Sequence, residues 1–341
     1  MASPMENPME TAGLIDLQVN GYGGVDFNDS TLDAAALDHA LEAMLRDGVT
    51  ACLPTLITAP EAMLAERLAA LDRAVAASRL GPRMVPGFHL EGPFLNPAAG
   101  FAGCHPPAAM LPPDPDLLRR LIAGLARPVL MLTLAPEQSG GVGLVRWARG
   151  QGMLVAIGHS AADAPVLAEA AEAGASLSTH LGNALPHTLT KFRNPLVAHL
   201  AEDRLAASFI ADGIHIPPPA LKVLLRAKGL ERAVLVTDAT AAAAAPPGVY
   251  RFAGMPIEHT EYGEVRVPGS TMLAGSALRL DQAVRNLVAW GLATPAGAVR
   301  LASDNPAAQL APALAAHGIH LPRGFVTWSA ALMPKQVRLE A

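Results

Sequence analysis

Residues 14–21 read LIDLQVNG, and this short run decides how the rest of the chain is understood. Its start is apolar, as in a buried strand. Asp16, Gln18 and Asn20 then alternate with Leu17 and Val19, so three polar side chains share one face. Polar groups on the inner face of a buried strand cost free energy unless they find partners. The same design recurs in VTACLPTL (49–56), RMVPGFHLEG (83–92), PVLMLTLAPE (128–137) and MLVAIGHS (153–160). It continues in ASLSTHLGN (175–183), AASFIADGIH (206–215) and AVLVTDAT (233–240), which makes eight runs in all. Between them lie alanine-rich stretches of helical period. AALDHALEAMLRDG (35–48) and APVLAEAAEAG (164–174) are two, each stopped by a glycine.

Eight strands alternating with helices are the signature of an α/β fold of the (β/α)8 barrel type. Nearly every run ends in polar chemistry: QVNG, HLEGP, LAPE, GHS, THLGN, DGIH, TDAT. Chance placement would scatter such groups to both strand ends. Barrel enzymes gather them at the carboxyl ends, so the pattern points to an enzyme. A doubly wound sheet would require a glycine-rich phosphate loop after the first strand. GYGG (21–24) lacks the third glycine at the needed spacing.

Past the eighth run the pattern changes. VYRFAGMPIEHTEYGEVRVPGS (249–270) alternates like a hairpin turning at Tyr262-Gly263. AGSALRLDQAVRNLVAWG (274–291) predicts a helix, and SDNPAAQL (303–310) opens another. The tail, 324–341, predicts one or two strands. The barrel is therefore expected over 12–315.

Bulk composition narrows the function classes. The 341 residues are 51% hydrophobic and 16% charged, with a net charge of −5. No basic patch suggests nucleic acid or an anionic membrane, and 4% aromatic residues argue against base stacking. No apolar run reaches membrane-spanning length, and the start lacks a signal-like core. Cys52 and Cys104 form neither a disulfide framework nor a C-x-x-C pair. The expectation is a soluble cytoplasmic protein.

Glu91, His159 and His180 close the third, fifth and sixth runs. Two imidazoles and a carboxylate with an open position form a common catalytic zinc set, though ligand type alone does not choose among divalent metals. Each alone could be a hydrogen-bonded core group; three at one barrel mouth favour a metal. Asp238, in VTDAT, is the expected general base, with a turn or cap aspartate as the alternative. His215 could polarise a carbonyl, bind an anion or be a satisfied buried imidazole. Asp212 could simply stabilise its turn.

DLQVNG, PTLIT (54–58), HLEGPFLN (89–96), LAPE (134–137), GHS (158–160), THLGNALP (179–186), ADGIH (211–215) and LVTDAT (235–240) occur in that order. Together they resemble the N-acetylglucosamine-6-phosphate deacetylases of the amidohydrolase superfamily, from about Gly13 to about Pro306. The resemblance implies a barrel of the metal-dependent amidohydrolase type, with Glu91, His159 and His180 as ligands and Asp238 as acid/base. It implies substrate contacts at Cys104, His105, Asn183, Ala184, His215, Leu273, Ala274 and Gly275. Other amidohydrolases carry His-x-His after strand one and bind a second metal there. Gln18 and Asn20 stand in its place, so they are expected to hydrogen-bond around a single divalent ion, zinc first, with Fe, Mn, Co or Ni also compatible.

Two departures stand out. The family's R-E-P-G reads TLTKFRNPL (188–196) here, so the arginine that contacts sugar phosphate across a dimer maps to Arg193, with Lys191 second. Family members also carry about forty more residues before strand one. The small β-domain is therefore expected as a remnant, in 1–11 and 316–341, or rebuilt from 249–270 and 324–341. An amino-sugar phosphate substrate and a homodimer follow from the resemblance. The rivals are the galacto epimer, another N-acyl amino sugar, or a non-catalytic sugar-binding barrel.

Overall fold

A computed structural model describes residues 9–321 and 324–340. All eight expected runs are strands of one parallel sheet. They are β1 (Leu14–Val19), β2 (Val49–Ile57), β3 (Phe88–Glu91), β4 (Val129–Leu134), β5 (Leu154–Ile157), β6 (Ala175–Ser178), β7 (Ala206–Phe209) and β8 (Ala233–Leu235). They neighbour one another in chain order. The sheet closes where β1 meets the segment after β8, through a parallel bridge from Val19 to Ala239. Asp238 N–H donates to Gln18 O at 2.9 Å across this seam, and Asn20 N–H to Ala239 O at 2.7 Å. The seam thus sets Gln18, Asn20 and Asp238 side by side.

Helices cover the outside. Ala34–Arg46 is capped by Asp33, whose side chain accepts from Ala36 N–H, and it buries Leu37, Leu41 and Met44. Ala164–Ala173 ends at Gly174 with φ 115°, as the glycine stop predicts. Leu14, Leu17, Leu53, Leu90, Leu132, Val155, Leu177, Phe209 and Leu235 are all fully buried along the strands. No helix among the described residues is long and apolar enough to cross a membrane.

The expected hairpin is instead a three-stranded meander: Gly248–Phe252, Met255–His259 and Val265–Arg266. Its first turn, at Ala253 and Gly254, carries positive φ at both residues and was hidden in the alternating pattern. The Tyr262-Gly263 turn is the second, with Gly263 N–H donating to Thr260 O. The expected helix at 274–291 begins only at Leu280. Residues 273–276 instead form two isolated bridges, Leu273 to Arg266 and Ser276 to Ala239, with a bend at Gly275 between them. A helix at Pro295–Ala302 was not foreseen, and Asp304–Ala316 extends the one begun at 303.

The tail supplies two antiparallel strands, Gly324–Trp328 and Pro334–Leu339, and the first also pairs antiparallel with Met9–Ala12. The meander at 248–266 is a separate sheet, so the two segments do not rebuild one domain. Residues 1–8 of the expected remnant lie outside the described residues. Trp328 is fully buried, and its Nε1–H donates to Thr11 Oγ1 at 2.8 Å. Trp328→Ala is expected to destabilise the chain by about 3–5 kcal/mol, the usual cost of deleting a buried aromatic. A chemical melt with a shift under about 1 kcal/mol would remove this sheet from the cooperative core.

Candidate active site

A cavity of about 510 Å³ opens at the carboxyl ends of the strands. Glu91 stands at its floor, nearly fully buried, and draws in several imidazoles. His180 Nε2 lies 3.0 Å and His159 Nε2 3.3 Å from Glu91 Oε1, and His105 Nε2 lies 3.6 Å from Oε2. Glu91, His105 and His159 form a group whose donor atoms all lie within 4.8 Å of one another. The family resemblance implies a substrate contact for His105. Its Nδ1 meets Thr58 Oγ1 at 2.9 Å, which aims Nε2 at Glu91, so four potential donors meet instead of three.

These residues fit a divalent cation on their own chemistry. His159 Nδ1–H donates to Phe101 O at 2.8 Å, and a carbonyl only accepts. Nε2 therefore carries a lone pair, is buried, and has no hydrogen-bond partner. A lone pair fixed in that way is what a metal ligand needs. His159, His180 and Asp238 also hold left-handed backbone conformations, with φ of 51°, 29° and 49°. Non-glycine residues adopt this region at a cost, and such strain concentrates at functional sites. Gly92, next to Glu91, has φ 90°, and a Cβ there would lie 2.1 Å from Thr58 Oγ1. Only glycine fits.

The amides of β1 do what their position predicts. Gln18 Nε2 donates to Glu91 Oε1 at 3.0 Å and to Asp238 Oδ1 at 3.2 Å. Asn20 Nδ2 donates to the same Asp238 oxygen at 2.7 Å. Both donors go to Oδ1, and neither amide reaches Oδ2. Asp16 turns away from the cavity and accepts from Thr237 Oγ1 at 2.6 Å, anchoring the strand end before Asp238. Beneath the floor, His89 joins Thr55 (3.1 Å) to Thr133 (2.8 Å), tying three strands together.

Electrostatics separate the two acids. Burial alone would raise Glu91, but the imidazoles of His105, His159 and His180 gathered around it hold its carboxyl well below the usual range. Burial, reinforced by the charge of Glu91, pushes Asp238 up to about 6. One carboxylate is held ionised, and the other is pushed toward the range in which a carboxyl can gain or lose a proton near neutral pH. Burial, with the charges of Asp238 and Glu91, pushes the Cys104 thiol up to about 12, so it stays protonated and unreactive.

Asn183, Ala184, His215, Leu273 and Gly275 line the cavity with Cys104, while Ala274 is wholly buried behind its wall. Asp212 organises His215 fully: Oδ2 meets Nδ1 at 2.6 Å, and Oδ1 accepts from both Ile214 N–H and His215 N–H at 2.8 Å. His215 Nε2 therefore faces the cavity as a donor when the ring carries both protons. Arg193 and Lys191 do not join the site; both lie exposed on the loop before the helix Pro195–Ala201. Sequence reasoning missed His187, Phe252 and Met272, which also line the cavity. His187 had a signal, standing directly after THLGNALP; Phe252 arrives from the meander and Met272 from the turn that follows it, both by tertiary packing.

A closed barrel that gathers imidazoles and carboxylates at one mouth is built as a metal-dependent barrel hydrolase. The chain matches the Amidohydrolase family over residues 9–311, and it belongs to that family. It is 32% identical over 301 residues to the N-acetylglucosamine-6-phosphate deacetylase of Bacillus subtilis, covering 87% of this chain and 74% of that one. It is 37% identical over 298 residues to the N-acetylgalactosamine-6-phosphate deacetylase of Escherichia coli O157:H7, covering 87% and 76%. Among solved structures, a mutant N-acetyl-D-glucosamine-6-phosphate deacetylase of Mycobacterium smegmatis, in complex with N-acetyl-D-glucosamine-6-phosphate, superposes with a TM-score of 0.86. That pair shares 29% identity over 99% of this chain and 89% of the other.

Proposed function

We propose that this chain hydrolyses the N-acetyl group of N-acetylglucosamine-6-phosphate, giving glucosamine-6-phosphate and acetate. One observation carries the reading: a single amide, Gln18, touches both the ligand carboxylate of Glu91 (3.0 Å) and the candidate base Asp238 (3.2 Å). Candidate proton acceptor and candidate metal ligand thus meet at one nitrogen. Glu91, His159 and His180 stand on strand ends and would hold one divalent ion, zinc by preference; His105, on a loop, closes over them. When bound, the ion would polarise the acyl oxygen and lower the pKa of water.

The remaining steps belong to the protein. Asp238 Oδ2 takes a proton from the attacking water while Gln18 and Asn20 fix Oδ1. His215 Nε2 donates toward the acyl oxygen as negative charge builds there, oriented by Asp212. Asp238 then returns the proton to the departing amine, so acid and base are one residue. Asn183, Ala184, Leu273 and Gly275 frame the sugar, and a Cβ at Gly275 (φ 66°) would lie 2.5 Å from Thr240 Cγ2.

Among the described residues lining the cavity there is no lysine or arginine. A sugar phosphate needs a cation, so we assign that contact to Arg193 of the partner subunit in a homodimer, with Lys191 as second choice. The test is acetate release by metal-reconstituted protein on three substrates: the gluco 6-phosphate, its galacto epimer, and unphosphorylated N-acetylglucosamine. The galacto epimer is the second reading, favoured by the 37% relative named for it. Arg193→Ala is expected to raise KM for the phosphorylated sugar by about 10-fold or more, the worth of a charge-assisted hydrogen bond. KM for the unphosphorylated sugar should not move. Equal effects on both substrates would take phosphate recognition away from Arg193.

A further inference from the structure

LAPE (134–137) ends β4, yet nothing in the proposed chemistry uses its glutamate. Glu137 is partly buried and accepts three hydrogen bonds. Ser160 Oγ–H donates to Oε2 at 2.6 Å; Ala161 N–H and Asn96 Nδ2 donate to Oε1 at 2.6 and 2.9 Å. Ser160 and Ala161 directly follow His159. Asn96 begins the loop that carries Phe101 and His105. We infer that Glu137 is the positioning residue for His159, holding its imidazole at the metal site from outside that site. The inference rests on the metal-site reading above.

The geometry closes on itself. Asn96 N–H donates to His159 O at 3.0 Å, and Asn96 Oδ1 accepts from Ala98 N–H at 2.9 Å. Phe101 N–H donates to Ala98 O at 3.0 Å, and Phe101 O accepts His159 Nδ1–H at 2.8 Å. A closed circuit thus runs from Glu137 through Asn96, Ala98, Phe101 and His159 by hydrogen bonds, then along the chain to Ser160 and by its hydroxyl back to Glu137. Within it His159 is pinned at its carbonyl, at its ring and at the two residues that follow. Its left-handed backbone, φ 51°, would relax without that hold. An ionised carboxylate is acceptor-only and suits three donors. Glutamine keeps one acceptor oxygen, can hold Ser160 only by reversing that hydrogen bond, and removes the charge that strengthens all three contacts.

The test compares Glu137→Gln and Glu137→Ala with a matched control, Asp72→Asn. Asp72 also caps loop amides, accepting from Ala126 N–H at 2.8 Å and Arg127 N–H at 3.1 Å, but at the amino ends of the strands. Zinc affinity is read by chelator competition, and ligand geometry by the visible spectrum of the cobalt-substituted protein. Both Glu137 variants should bind zinc about 10–100-fold more weakly, as changes to residues that support a ligand do. Their cobalt spectra should shift, and Asp72→Asn should match the parent in both. If Glu137→Ala does not fold, Glu137→Gln decides. Unchanged zinc affinity and spectrum in the Glu137 variants would overturn the inference. So would equal weakening in Asp72→Asn, which would mean general softening. A parent protein that binds no divalent metal would defeat the metal-site reading itself.

Discussion

Replacing Asp238 by asparagine is expected to lower kcat by about 10²–10⁴-fold, the usual worth of general acid–base catalysis, while metal stays bound. Asparagine matches the shape, and its oxygen can still accept from Asn20 and Gln18, whose donors now reach Oδ1 at 2.7 and 3.2 Å. What disappears is the second oxygen, the one that takes and returns the proton. The pH profile carries the same signature. Burial, then the charge of Glu91, pushes the Asp238 carboxyl up to about 6. Below that it is protonated and cannot act as base, so kcat rises with pH and levels off once the carboxylate forms. A bound cation would favour the carboxylate, so the acid limb should fall at or below about 6. The asparagine variant's residual rate should lack this limb. Steady-state kinetics across the acidic range, with metal content measured on the same samples, decides the matter. A variant within tenfold of the parent would take the base assignment away from Asp238.

Much of this site was written in local sequence, and what was not has a physical reason. A parallel barrel strand carries its own apolar run and its own polar end, so Glu91, His159, His180 and Asp238 could each be placed at a strand terminus from their immediate neighbours. Gln18 and Asn20 could be aimed inward because side chains alternate along a strand. His105 is different. Its orientation comes from Thr58, 47 positions away on another loop, and no pattern around GCHP announces that contact. Phe252 and Met272 reach the cavity because the meander and the turn after it fold over it, a tertiary event. The start of the helix at Leu280 was misjudged because residues 273–276 answer to the β8 seam: Ser276 Oγ donates to Thr237 O at 2.6 Å. Local helical tendency lost to that pairing. Glu137 shows a further limit. Its motif was visible, but its purpose depends on two loops that arrive from β3 and β5.

Glu91→Gln should strip the protein of its divalent metal and reduce turnover well beyond the roughly 10–100-fold typical of residues that merely support a ligand. Glutamine keeps the size and a hydrogen-bonding oxygen, but removes the charge on which the cluster depends. In the parent, the Glu91 anion lies 3.0 Å from His180 Nε2 and 3.3 Å from His159 Nε2, and it accepts from Gln18 at 3.0 Å. Although burial works against it, its carboxyl is held well below the usual range by those imidazoles. A group depressed in the fold lends stability above its unfolded pKa and withdraws it as pH falls through the folded one. The metal-free parent should therefore be more stable than metal-free Glu91→Gln at neutral pH, and the gap should close in strong acid. Elemental analysis after dialysis, with melts of the metal-free proteins at several pH values, separates loss of a ligand from loss of the fold. Should the glutamine variant retain a full equivalent of metal, the cation would have to rest on His105, His159 and His180 alone, and the carboxylate would lose its place in the donor set.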